Sequence, residues 1–85
     1  MGPGSDFTTF VQALAANALL NLGAIPDPET NATTTNLPLA ELIIDQLAML
    51  EDKTRGNLAA DEHALLQKLL YDLRLRFVHL SKSHR

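Results

Sequence analysis

Apolar residues recur at helical spacing in three segments of the chain, and no segment alternates apolar and polar residues over the length of a strand. The predicted helices cover about residues 6–22, 37–55 and 59–80. A long Thr/Asn-rich segment with two prolines separates the first two helices, which predicts an exposed loop. The second and third helices are joined by a short turn at Gly56, so they should form an antiparallel hairpin. The sequence therefore predicts an all-α, three-helix domain.

Capping residues mark the ends of these helices. Ser5 or Asp6 is suited to begin the first helix, and Asn36 the second, because short polar side chains accept hydrogen bonds from free backbone N–H groups. Gly23 and Gly56 follow the first two helices, where a left-handed residue commonly ends a helix.

The core is expected where each helix has its apolar stripe. The stripe of the first helix contains Phe7, Val11, Leu14, Ala18 and Leu22. That of the second contains Leu39, Ile43, Leu47 and Leu50, widened by Leu42 and Met49. That of the third contains Leu66, Leu69, Leu70, Leu73, Phe77 and Leu80.

Two helices have more apolar surface than one small core needs. The first carries no charged residue between Phe7 and Pro26, and a helix without a charged face is normally covered on most sides. The third has a second apolar seam of Ala64, Tyr71, Leu75 and Val78. We therefore expect a homodimer or a higher oligomer, since closed two-fold pairs are the commonest soluble assemblies. The predicted interface residues are Phe7, Phe10, Val11, Leu14, Ala18, Leu20, Tyr71, Leu75 and Val78.

Lipid is the less favoured cover for the first helix. A helix from Phe7 to Leu22 spans about 24 Å, less than the roughly 30 Å of a bilayer core. Gln12, Asn17 and Asn21 also interrupt the apolar run. We expect no membrane insertion.

The composition excludes several kinds of chemistry. The 85 residues contain no cysteine, so there is no disulfide, thiolate ligand or thiol nucleophile. The net charge of −3 argues against a general nucleic-acid binder, although residues 71–85 carry one acidic and four basic residues. Because no secretory leader pattern is found, the cytoplasm is the expected compartment.

Titratable residues give no convincing catalytic or metal site. His79 and His84 are five residues apart, which does not place them on one helix face. Glu41, Asp45 and Asp52 form an ordinary solvated face. We therefore expect no catalytic residue, no metal and no cofactor.

The proline-containing loop is the best candidate for binding a protein partner. Its residues are Ile25, Pro26, Asp27, Pro28 and Glu29. The alternative is a purely structural connector in which Ile25 anchors the loop to the core.

Five segments of the chain match a known pattern: FTTFV at 7–11, LGAIPDPET at 22–30, NLPLA at 36–40, MLEDKTRGNL at 49–58 and LLYDLRLR at 69–76. They resemble a bacterial family known only as domain-of-unknown-function family 1844. The resemblance implies a small bacterial helical domain and carries no activity. The family usually has Thr where this chain has Ala59, so the third helix is expected to lack a strong side-chain cap.

These observations predict one helical domain at residues 5–80, with a tag scar at 1–4 and a frayed basic tail at 81–85. The predicted function is a non-catalytic module for self-association or for binding an unidentified protein. Two alternatives stay open: a subunit whose enzymatic or regulatory site forms between protomers, and a protein weakly associated with nucleic acid.

Overall fold

Three α-helices make up the fold: α1 Phe7–Asn21, α2 Leu37–Lys53 and α3 Ala60–Ser83. The computed structural model describes residues 6–83, and no β-sheet is formed within that range. The predicted all-α, three-helix architecture is confirmed. The largest differences from the predicted bounds are at two C-terminal ends: α2 ends at Lys53, two residues earlier than predicted, and α3 extends to Ser83, three residues later. The other helix ends lie within one residue of the prediction. Residues 84–85 of the predicted basic tail lie outside the described residues. The predicted tag scar at 1–4 lies outside the described residues.

Short polar side chains cap the first two helices, as the sequence predicts. Asp6 Oδ1 accepts a hydrogen bond from the backbone N–H of Thr9 at 2.8 Å. Hydrogen bonding from the Thr9 side chain, together with this backbone bond, lowers the pKa of Asp6. Asn36 Oδ1 accepts from the backbone N–H of Leu39 at 3.1 Å.

Gly23 ends α1 in a conformation that glycine adopts without strain, with a φ of +74°. Its N–H donates to the carbonyl of Leu20, and the N–H of Ala24 donates to the carbonyl of Leu19. This pair of hydrogen bonds is the Schellman motif. A Cβ at Gly23 would also lie 2.7 Å from Oγ1 of Thr35, so a larger residue there would require the Thr35 side chain to move.

A tight turn reverses the chain between α2 and α3. Gly56 has a φ of +84°, and the N–H of Asn57 donates to the carbonyl of Thr54 at 2.9 Å. The Gln67 amide of α3 donates to the Glu51 carboxylate of α2 near the same end of the helix pair. The predicted α2–α3 hairpin is confirmed.

The core lies where all three helices meet. Its buried residues are Val11, Ala15, Ala18, Leu22, Ala40, Ile43, Ile44, Leu47, Leu66, Leu70 and Leu73. Leu69, Phe77 and Leu80 are partly buried against this cluster, which agrees with the stripe predicted for α3.

The stripe predicted for α2 is confirmed at Ile43 and Leu47, which are buried, and at Leu50, which is partly buried, but it is wrong at Leu39 and at the predicted widening. Ala40 and Ile44 are buried, whereas Leu39, Leu42 and Met49 are exposed. The physical reason is that the buried side of a helix depends on how its neighbours pack against it, and a small side chain such as that of Ala40 can lie at this contact. Ala40 has little weight in a pattern based on large apolar residues, yet it is completely buried.

Across residues 6–83, none of the helices is both long enough and apolar enough to cross a bilayer.

Candidate interaction surfaces

The predicted interface residues do not form one continuous surface. Val11 and Ala18 are buried inside the protomer's own core, so an exposed interface cannot contain them. Phe10 and Leu14 of α1 lie on one surface, and Tyr71, Leu75 and Val78 of α3 lie on another. The prediction of one interface is wrong because α1 packs against α2 within the protomer. This packing buries the middle of the α1 stripe in the intramolecular core.

The first surface, called here the α3 face, is formed by one side of α3. It consists of Ala64, Gln67, Tyr71, Arg74, Leu75 and Val78. All but Ala64 line an open groove of about 380 Å³. The exposed fractions are 72% for Tyr71, 57% for Leu75 and 48% for Val78. At about 100° per residue, these three side chains lie opposite the core side of the helix.

The second apolar seam that the sequence predicts on α3 is therefore exposed to solvent in the protomer. Isolated exposed apolar residues are common on proteins, whereas a contiguous apolar patch is typical of an interaction site. Tyr71 is particularly suited to such a site because its ring buries a large area and its hydroxyl remains compatible with water.

The second surface is a groove between α1 and α2. Phe10 and Leu14 of α1 and Gln46, Met49 and Leu50 of α2 line a volume of about 290 Å³. Phe10 is 50% exposed and Met49 is 53% exposed.

The sequence analysis does not predict this α1–α2 groove. Leu39, Leu42, Gln46 and Met49 are spaced by three, four and three residues, which places them along one side of α2. That periodicity is visible in the sequence, but the same apolar residues are equally compatible with a core stripe. Only the packing of α1 against α2 shows that Leu42 and Met49 are exposed.

The other predicted α1 residues lie outside the α3 face as well. Phe7 is partly buried against the core, and Leu20 is partly buried. Phe10 and Leu14 belong to the α1–α2 groove. The α3 face alone keeps the predicted group of Tyr71, Leu75 and Val78 together.

Charged side chains border the α3 face on both edges. Asp61 and Lys82 flank the edge that contains Leu75, at opposite ends of the helix, and Arg74 lies on the other edge beside Gln67. Within residues 6–83, Asp61, Arg74 and Lys82 form no ion pair. By contrast, Asp72 pairs with Arg76 at 3.2 Å along the helix surface.

The predicted partner loop is folded mainly by its own hydrogen bonds. Asp27 Oδ1 accepts from the N–H of Glu29 at 2.8 Å, and the Asp27 carbonyl accepts from the N–H of Asn31 at 2.7 Å. Ile25 is 36% exposed and does not belong to the core cluster, so the loop is not anchored there by this residue. The Asp27 carboxylate thus stabilises the turn within this loop.

A third cavity lies between the end of α1 and the C-terminal half of α3. It has a volume of about 250 Å³ and is lined by Leu22, Gly23, Ala24, Arg76, His79 and Leu80. Among the described residues there is no group of three or more His, Asp or Glu side chains that could hold a metal ion.

Comparison with known proteins places the chain in a family. A family model described as Domain of unknown function (DUF1844) matches residues 4–79. The searches of the curated proteins and of the solved structures found no match. The matched residues include α1, α2 and most of α3, together with all residues of both surfaces. The resemblance of the five sequence segments is confirmed: the chain belongs to the DUF1844 family.

Proposed function

We propose that this protein is a non-catalytic self-association module whose α3 face pairs with a second copy of the chain. The observation that carries the proposal is the exposure of Tyr71, Leu75 and Val78 along one side of the longest helix. Removing apolar surface from water stabilises an assembly by about 25 cal/mol per Å². These side chains thus provide a driving force that the isolated protomer does not use.

The shape of α3 supports the pairing of helices. Its 24 residues extend about 36 Å at ~1.5 Å per residue. Ala64, Tyr71 and Val78 recur every seven residues, the repeat that keeps one side of a helix in contact with a neighbouring helix. A second copy can therefore follow the α3 face over several helical turns.

Dimerisation also suits the size of the domain. Chains of this length bury a smaller fraction of their surface than larger domains, and oligomerisation is one way to supplement a small core. The proposed setting is the cytoplasm of a bacterium. The resemblance to a bacterial family and a composition without cysteine support this setting.

Sedimentation equilibrium at micromolar concentration tests the proposal. The wild-type protein should have twice the 9.3 kDa mass of the chain. Leu75→Glu should shift the equilibrium to the monomer because it places a carboxylate in the apolar contact. Leu75 lies outside the core, so this variant should remain folded.

Gln12→Glu is the matched control. It introduces the same carboxylate at an exposed position of α1 that lines neither surface, and it should dimerise like the wild type. A wild-type protein that remains monomeric would contradict the proposal. A Leu75→Glu variant that dimerises as tightly as the wild type would do the same for the α3 face.

A further inference from the structure

We infer that two α3 helices pair in antiparallel orientation about a two-fold axis at Tyr71, with Asp61 of each copy beside Lys82 of the other. This inference rests on the proposed self-association and adds its orientation and register. In an antiparallel two-fold pair, positions equally far before and after the central residue come together, and each edge of the face meets the same edge of the second copy.

The apolar residues of the α3 face fit this symmetry. Ala64 lies seven residues before Tyr71, and Val78 lies seven residues after it. Antiparallel pairing centred on Tyr71 therefore places Ala64 against Val78 of the second copy. The small alanine leaves room for the branched valine, and the two tyrosine rings meet at the axis.

The first charge pair follows from the same register. Asp61 lies ten residues before Tyr71, and Lys82 lies eleven residues after it, on the same edge of the face. Antiparallel pairing brings these opposite charges together twice in the dimer. Charges that flank an apolar helix contact govern the relative orientation of the helices.

A second charge pair lies on the opposite edge. Gln67 lies at this edge, four residues before Tyr71, and its amide donates a hydrogen bond to the Glu51 carboxylate of α2. Arg74 lies three residues after the centre and has no carboxylate partner within residues 6–83. Antiparallel pairing therefore places Arg74 of each copy beside the Gln67–Glu51 pair of the other.

Parallel pairing has the opposite electrostatic result. It would place the acidic first turns, with Asp61 and Glu62, beside each other and would also bring together the basic ends that contain Lys82. The two helix dipoles would point in the same direction. The charge distribution along α3 thus favours the antiparallel dimer.

Disulfide cross-linking tests the orientation directly, because the chain contains no cysteine of its own. In the antiparallel dimer, the two copies of residue 64 are about 21 Å apart, since 14 helical residues rise ~1.5 Å each. The two copies of residue 78 are equally far apart. A disulfide requires Cα atoms within about 7 Å.

Ala64→Cys and Val78→Cys are therefore oxidised separately and as an equimolar mixture. The mixture should give at least about ten-fold more cross-linked dimer than either variant alone. Efficient cross-linking of each variant alone would mean parallel pairing and would overturn the inference while leaving self-association intact. The masses of both reduced variants and of the wild type are measured by sedimentation. A monomeric wild type would contradict both proposals.

Charge reversal provides a second test that leaves the apolar contact unchanged. Asp61→Lys and Lys82→Asp should each weaken dimerisation about five-fold, and the double variant should return to within about two-fold of the wild type. Restoration is specific to opposite charges that meet between the two copies. A double variant that dimerises more weakly than both single variants would overturn the proposed register.

Discussion

Glycine lies at two turns of the fold, and the physical reasons that limit its replacement differ between Gly23 and Gly56. Gly56 has a positive φ but open space around the position of a Cβ atom, so only backbone conformation limits its replacement. Gly23 combines a positive φ with a close approach to Thr35. Substitutions at the two positions therefore distinguish the energetic cost of backbone strain alone from that of backbone strain with a steric contact.

Alanine substitutions should reflect this difference. Gly56→Ala should lower the free energy of unfolding by about 1 kcal/mol, since a left-handed conformation is unfavourable for residues with a Cβ. Gly23→Ala should cost more because Thr35 must also move. Urea unfolding measures both losses, with Gly56→Asn as the control that tolerates this conformation better. Equal losses at the two glycines would contradict the steric role of Thr35.

Ala59 leaves the beginning of α3 incompletely capped. The Glu62 carboxylate accepts a hydrogen bond from the Ala59 N–H at 2.8 Å, which is one half of a capping box. The other half requires a side-chain oxygen at position 59, and alanine has none.

Ala59→Ser should therefore stabilise the protein by about 1 kcal/mol, since a serine hydroxyl can accept from a free N–H of the first turn. Ala60→Ser, one residue inside the helix, is the matched control and should give no gain. The free energies of unfolding in urea provide the comparison. If both serines have the same effect, capping is not the cause.

At the scale of the helices, the rotation of α2 determines which leucines stabilise the core. Leu47 is completely buried, whereas Leu42 is 52% exposed on the same helix. Leu47→Ala should lower the free energy of unfolding by about 2–5 kcal/mol, and Leu42→Ala should cost far less than that. Chemical denaturation of the two variants checks this difference. A loss at Leu42 as large as that at Leu47 would mean that α2 is rotated differently.

The same helix shows what sequence periodicity can and cannot establish. The existence of α2 and its cap at Asn36 follow from local chemistry, which is visible in a single sequence. Its buried side depends on how α1 and α3 pack against it, and this packing buries a small residue, Ala40, that a pattern of large apolar residues does not include. The α3 face was predictable because its seam lies opposite a complete core stripe. The α1–α2 groove was not, because Met49 fits either a core or a surface.

At the scale of the whole molecule, α3 has two functions in the proposed dimer. One side completes the core through Leu66, Leu70 and Leu73, and the opposite side forms the contact with the second copy. Folding and association are then linked, because binding of folded protomers to each other stabilises the folded state by mass action. The α1–α2 groove shares no lining residue with the α3 face and would remain exposed in the dimer.

This linkage predicts that thermal stability rises with protein concentration. For a dimer that unfolds to two separate chains, a ten-fold rise in concentration adds about 0.7 kcal/mol per chain, which corresponds to a Tm increase of about 3–6 °C for a domain of this size. Leu75→Glu should have a Tm that does not change with concentration, because its monomer keeps the core but loses the contact. Gln12→Glu should follow the wild-type slope. Circular dichroism melts over a hundred-fold concentration range measure these slopes, and a flat wild-type profile would show that association does not stabilise this fold.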